Sequence, residues 1–228
     1  NDVLAQVPAG ARFDLDKVGI PAELLDPVAV GLRVAYVGDV NGSDNWSAGL
    51  GVFGAGAGAD YLNSFDHPMV IGQLEYAGKT FGSLAGAYRL YAWSNANATT
   101  LDGETRQRHT GWGVSLDQEI ASYVTLFSRI GLSTKGEVAV DRAYTLGAQI
   151  AGSAWGRDND RIGLAYGWMN ASDESGFDGA EKALELYYAW QVNDHLSISP
   201  DLQWIRHPGG DKTADSVTVW GLRAKAAF

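Results

Sequence analysis

The chain has 228 residues, enough for one large β-domain or two small ones. Its 17 Lys and Arg stand against 27 Asp and Glu, a net charge of −10, which argues against nucleic acid as a partner because that partner wants a basic face. With no cysteine there is neither a disulfide framework nor a thiolate metal site, and no run of about 18 apolar residues offers a transmembrane helix. Glycine is abundant at 29 and proline scarce at 6, and Trp plus Tyr are frequent, as in sheet proteins with close backbone approaches and aromatic girdles. No basic, apolar leader opens the chain, so any export signal is expected to have been removed already.

Residues 1–30 show no clear alternation. Val3-Leu4-Ala5 and Ala22 to Leu25 each suit a single helical turn, while Pro8, Pro21 and Pro27 prevent one long element. From Gly31 the pattern becomes alternating and predicts eleven strands, near 31–38, 47–55, 69–77, 82–94, 108–120, 122–133, 143–152, 160–170, 182–192, 195–206 and 216–228. Turn-rich stretches join them, among them Asp39 to Asp44, Asn95 to Arg106 and Ser172 to Gly179. The last strand alternates Trp220, Leu222, Ala224, Ala226 and Phe228 with Gly221, Arg223 and Lys225. An aromatic residue closing such a strand points toward an outer-membrane sheet.

Alternation sorts the whole chain into two faces. One carries Leu32, Val34, Leu74, Leu90, Val114, Ile130, Leu146, Leu164, Leu186 and Leu222, with Tyr and Trp toward strand ends. The other carries Arg33, Gln73, Glu75, Arg89, Tyr91, Asp117, Arg129, Gln149, Arg161, Glu185, Asp201, Gln203, Arg223 and Lys225 among glycines and small residues. Most of these strands approach the roughly nine to eleven residues that cross a bilayer obliquely. The reading is an all-β, antiparallel transmembrane barrel with lipid on its apolar face and a wet lumen on the other. A soluble sandwich whose charged face is simply solvated is the competing reading. Loop lengths favour the barrel: the connections at 207–215, 171–181 and 95–107 fall at one end, and very short ones near Ala121 and at 193–194 fall at the other, although 153–159 is long for that second end. An odd strand count is awkward, since bacterial single-chain barrels have even numbers.

Three separated motifs stand out in order: T-G-W-G-V-S-L-D-Q-E-I from Thr110, L-F-S-R-I-G from Leu126, and G-A-Q-I-A-G-S-A-W-G-R-D-N-D-R-I-G-L-A-Y-G from Gly147 to Gly167. They resemble the carbohydrate-selective porin family of OprB type. E-L-Y-Y-A-W-Q-V (Glu185 to Val192) and S-P-D-L-Q-W-I-R-H-P-G-G (Ser199 to Gly210) follow in order, with His207 where the family usually has Asn. The resemblance covers residues 30–228. It implies a sixteen-stranded outer-membrane barrel of the Gram-negative envelope, a homotrimer as large porins usually are, passing small hydrophilic solutes and sugars above all by facilitated diffusion. Residues 31–228 would then be the last eleven strands, and residues 1–30 the tail of an external or constriction loop in which Asp14, Asp16 and Lys17 are weak constriction candidates.

Permeation needs no bond making: a pore selects by width, wall hydrogen bonds and fixed charge. The charged and amide residues of the second face suit sugar hydroxyls, so that set is the candidate pore lining or solute-binding site. No catalytic residue, metal site or cofactor is predicted. The histidines His67, His109, His195 and His207 fall at strand ends or in loops, and Ser128 lies on the apolar face. Asp158-Asn159-Asp160 resembles a calcium-loop fragment but lacks its glycine and terminal glutamate, so it reads as a turn. Gly51 to Gly58 lacks the Lys-Ser/Thr of a phosphate loop and reads as a close-packed strand. The alternative function is a structural barrel anchoring envelope or surface-layer partners, which would not conduct.

Overall fold

The computed structural model describes residues 31–38, 44–54 and 66–227. The readings placed on residues 1–30, on residues 39–43 of the Asp39 to Asp44 turn, on residues 55–58 of the glycine-alanine stretch and on Phe228 lie outside these.

All eleven strands are present: β1 (Gly31–Gly38), β2 (Asn45–Phe53), β3 (Met69–Thr80), β4 (Leu84–Thr99), β5 (Arg106–Ala121), β6 (Val124–Lys135), β7 (Val140–Ala151), β8 (Arg161–Ala171), β9 (Ala180–Asn193), β10 (Leu196–Arg206) and β11 (Val217–Ala226). They form one antiparallel sheet in chain order, so every strand pairs with its neighbours in sequence. Among the described residues, β1 pairs only with β2, and β11 only with β10.

Register confirms the two faces. Leu74 stands opposite Leu90, Leu90 opposite Val114 and Val114 opposite Ile130. The row then runs through Tyr144 to Trp168. These side chains fill no dry interior. Leu74 is 57 % exposed, Leu164 47 % and Leu222 75 %, a breadth of uncovered apolar surface that water-soluble proteins rarely present.

The hairpin of β4 and β5 is longer than its alternation predicts, each strand running 16 residues. Asp102 is the reason. Its carboxylate accepts from Thr100 Oγ1 (2.5 Å), the Glu104 and Thr105 amides (2.8 and 2.9 Å) and Thr105 Oγ1 (2.7 Å), closing the turn within residues 100–105. Those bonds, the Thr100 hydroxyl first, hold the carboxyl well below the usual carboxylate range. Residues on either side of the turn, read from composition as loop, therefore join the ladder.

Two kinds of connection alternate. Residues 122–123 join β5 to β6 and 194–195 join β9 to β10, both at one end of the sheet. At the opposite end, residues 172–179 and 207–216 make longer loops. The connection from β7 to β8 sits at the short-turn end yet spans residues 152–160. It is folded tight: the Gly152 amide bonds the Asp160 carbonyl (2.8 Å) and the Arg157 amide bonds the Gly152 carbonyl (2.9 Å). Asp160, 1 % exposed, accepts from the Arg157 guanidinium, the Tyr188 hydroxyl and the Gln191 amide. Both of its oxygens are thus occupied by protein donors, and the Asp-Asn-Asp stretch serves as a turn. Trp155 packs over this knot with its ring 6.2 Å from that of Tyr188.

Aromatic side chains collect toward the strand ends, as expected. Tyr36 lies 5.3 Å from Trp46 and Tyr76 lies 6.2 Å from Tyr88, all toward the short-turn end. Tyr144, Trp168 and Trp204 lie toward the other.

Candidate functional site

Every residue of the proposed lining falls on the face turned away from the leucines. Arg33 is on β1, Gln73 and Glu75 on β3, Arg89 and Tyr91 on β4, Asp117 on β5 and Arg129 on β6. Gln149 is on β7, Arg161 on β8, Glu185 on β9, Asp201 and Gln203 on β10, and Arg223 on β11. Alternation demands this, since each lies an odd number of residues from a leucine or valine of its own strand.

The structure joins four of them into one ladder across β3 to β6. Arg89 donates through Nε to Glu75 at 2.8 Å and through Nη1 to Asp117 at 3.1 Å. Arg129 then meets Asp117 at 2.7 Å. Glu75 and Arg89 face each other directly in the register, while Arg129 reaches diagonally from its place opposite Ser115. Signs alternate from strand to strand, so the four charges cancel. Two bonds anchor Arg129, whose Nη1 donates to the carbonyls of Leu116 (2.7 Å) and Ser128 (2.9 Å), and its guanidinium sits 5.4 Å from the centre of the Phe127 ring. Gln73 extends the row, donating to Glu75 at 3.2 Å. These side chains are between 22 % and 31 % exposed, so each pair adds at most about 1 kcal/mol to stability. What the ladder supplies is charge held at fixed positions on the wall.

A smaller group lies across β7, β9 and β10. Gln149 donates to the Tyr187 hydroxyl at 2.9 Å, and Gln203 approaches Asp201 at 3.4 Å. Arg33, Arg161, Glu185 and Arg223 are not brought into ion pairs with any described residue, and remain single charges on the same face.

Sequence reasoning missed Trp93, Phe127 and Tyr187, which share this face with the charges. Each lies flat on the glycine opposite it in the next strand. A β-carbon at Gly111 would stand 2.8 Å from the Trp93 ring, one at Gly147 2.3 Å from Phe127, and one at Gly163 2.1 Å from Tyr187. Tyr91 covers Gly113 in the same way. The glycines leave room for the rings to lie against the sheet. Parity was the available signal: Trp93 is two residues from Tyr91, Phe127 two from Arg129, and Tyr187 two from Glu185.

A single antiparallel sheet of bilayer-length strands, apolar and exposed on one face and lined with charge and amides on the other, is the architecture of an outer-membrane porin. The chain belongs to the carbohydrate-selective porin, OprB family, whose model matches residues 28–228. It is 28 % identical over 189 residues to Porin B of Pseudomonas aeruginosa, a match covering 64 % of this chain and 42 % of that protein. It is 28 % identical over 144 residues to Porin AaxA of Chlamydia caviae, covering 61 % of this chain and 31 % of the other. The fold superposes on the high-pH structure of Pseudomonas putida OprB with a TM-score of 0.70 at 21 % identity, over 87 % of this chain and 58 % of that one. The chain thus spans less than half the length of the curated relatives it matches. Family membership places it in the bacterial outer membrane.

Proposed function

We propose that this chain forms the larger part of the wall of a water-filled channel through which small hydrophilic solutes, carbohydrates in particular, diffuse down their gradient. The observation that carries the reading is the Glu75–Arg89–Asp117–Arg129 ladder, set with flat aromatic rings on one face of a sheet whose other face is bare leucine. A sugar offers hydroxyls around its ring edge and C–H groups on its ring faces. Fixed charges and amides exchange hydrogen bonds with the first, and flat Trp93, Phe127 and Tyr187 suit the second. Passage needs neither a nucleophile nor a bound cofactor, and we assign the chain no catalytic step.

An open sheet in lipid would leave the β1 and β11 edges unsatisfied, which a bilayer does not tolerate. Further strands bridging those edges to close a barrel are therefore part of the proposal. By the rule of loop lengths, the short-turn end faces the periplasm and the long-loop end the exterior.

The full-length protein in a planar bilayer is expected to conduct, and liposomes carrying it to swell in small sugars. Arg89→Gln with Arg129→Gln would leave the ladder two negative charges in excess. The reversal potential under a salt gradient should then shift toward cations, about threefold or more in permeability ratio. A barrel built to anchor envelope partners would show no conductance, and either that result or an unmoved reversal potential would remove the proposal's support.

A further inference from the structure

The charges on the leucine face are few, cationic apart from Asp141 beside Arg142, and confined to one end. Arg106 and Arg108 lie on β5, with Arg108 donating to Ser94 at 2.8 Å. Arg142 lies on β7, Lys182 on β9 and Arg206 on β10, all at the long-loop end. Their face follows from register: Arg142 stands opposite Leu132, and Lys182 opposite Trp168 on one side and Arg206 on the other. The acidic strand residues Glu75, Asp117, Glu119, Glu181, Glu185 and Asp201 all lie on the polar face. Asp141, at a bulge of β7, pairs with Arg142 at 3.2 Å. Lys182 and Arg206 meet no carboxylate among the described residues; the Lys182 ammonium lies 5.2 Å from the Trp168 ring centre, and Arg206 donates to His207 Nε2 at 3.3 Å.

Two cations directly opposite each other on adjacent strands repel, and no carboxylate among the described residues pairs with either. On the same face Trp168 stands opposite Lys182, and Tyr144 and Trp204 lie two residues inward of Arg142 and Arg206, residue types that mark the level of lipid headgroups. At that level the abundant anion is phosphate, which arginine grips with two parallel hydrogen bonds. We infer that Arg142, Lys182 and Arg206 form a docking rim for the phosphate groups of headgroups in the external leaflet, specifically those of a phosphorylated glycolipid. The inference rests on the porin reading, because it needs lipid against the leucine face.

The test uses the full-length protein in detergent, with thermal unfolding followed against added diphosphorylated lipid A, its dephosphorylated form, inorganic phosphate and polyglutamate. Diphosphorylated lipid A should raise Tm, and the Arg142→Gln/Lys182→Gln/Arg206→Gln variant should need about tenfold more of it for the same rise. An equal removal of charge from the polar face, Arg161→Gln/Arg223→Gln/Lys225→Gln, should leave the response unchanged. Should the triple rim variant not assemble, the three single substitutions are compared by the lipid A each retains in native mass spectrometry, each retaining less than wild type. Equal potency in rim and polar-face variants, or equal effects of the dephosphorylated lipid or free phosphate, would overturn the inference, and a preference for polyglutamate would assign the rim to an acidic polypeptide instead. A protein that conducts in bilayers yet shows no phosphate dependence loses only this inference, whereas one that fails to insert loses the porin reading with it.

Discussion

Leu164→Arg is expected to lower the stability of the membrane-inserted protein by about 2–4 kcal/mol, and Ala165→Arg, one residue further along β8, by close to nothing. Leu164 lies mid-strand on the apolar face, 47 % exposed, between Ala148 and Leu186. A guanidinium there must be stripped of water or drag water into the hydrocarbon. Ala165 lies between Gly147 and Glu185 on the other face, where a new arginine meets water and a carboxylate. Urea unfolding in lipid vesicles measures both substitutions. Equal effects would mean the two faces share one environment, and a larger effect at Ala165 would mean they had been assigned the wrong way round.

Gly152→Ala is the second substitution expected to do severe damage, about 2–4 kcal/mol from a change of a single methyl group. A β-carbon at Gly152 would fall 1.7 Å from the Arg157 carbonyl oxygen and 2.9 Å from that of Asp160. Both are backbone atoms of the same closed turn, so no side chain can swing aside. Relief requires opening the turn, which also frees Asp160 from Tyr188 and Gln191. Trp155 reports on this, and its fluorescence should become water-exposed in the variant. The same reporter reads the acid response of the wild type. The Arg157 guanidinium first, with the Tyr188 hydroxyl and Gln191 amide, holds the Asp160 carboxyl down to about 2. A carboxyl depressed on folding contributes stability that is complete above its unfolded value of about 4. It is lost as pH falls from there toward 2. Trp155 emission that shifts between pH 7 and 5, or a Gly152→Ala variant as stable as wild type, would contradict this account of the turn.

Strand number and facing were legible in the sequence because each depends on period-two alternation, which survives without knowledge of any partner. Pairing was not. Glu75, Arg89, Asp117 and Arg129 were readable as one face, but their assembly into a ladder depends on register between strands, which alternation leaves free to slide by two. Trp93, Phe127 and Tyr187 escaped because the polar face was drawn from its charges, its amides and Tyr91, and parity with those neighbours was not followed to the remaining rings. Arg142, Lys182 and Arg206 escaped for the mirror reason: charge drew attention to the polar face, while these share parity with Tyr144, Leu184 and Trp204. The long connection of residues 152–160 looked wrong for its end of the sheet, since composition does not show that Asp160 folds back into it.

The central claim is that lipid touches the leucine side and water the arginine side. As the chain carries no cysteine, single cysteines can be placed at Leu164, Ala165, Tyr166 and Gly167, spin-labelled, and reconstituted in bilayers. The account predicts that the labels at 164 and 166 are relaxed by oxygen dissolved in the lipid, and those at 165 and 167 by a water-soluble nickel chelate. Access of the chelate to all four, or the reverse alternation, would contradict it.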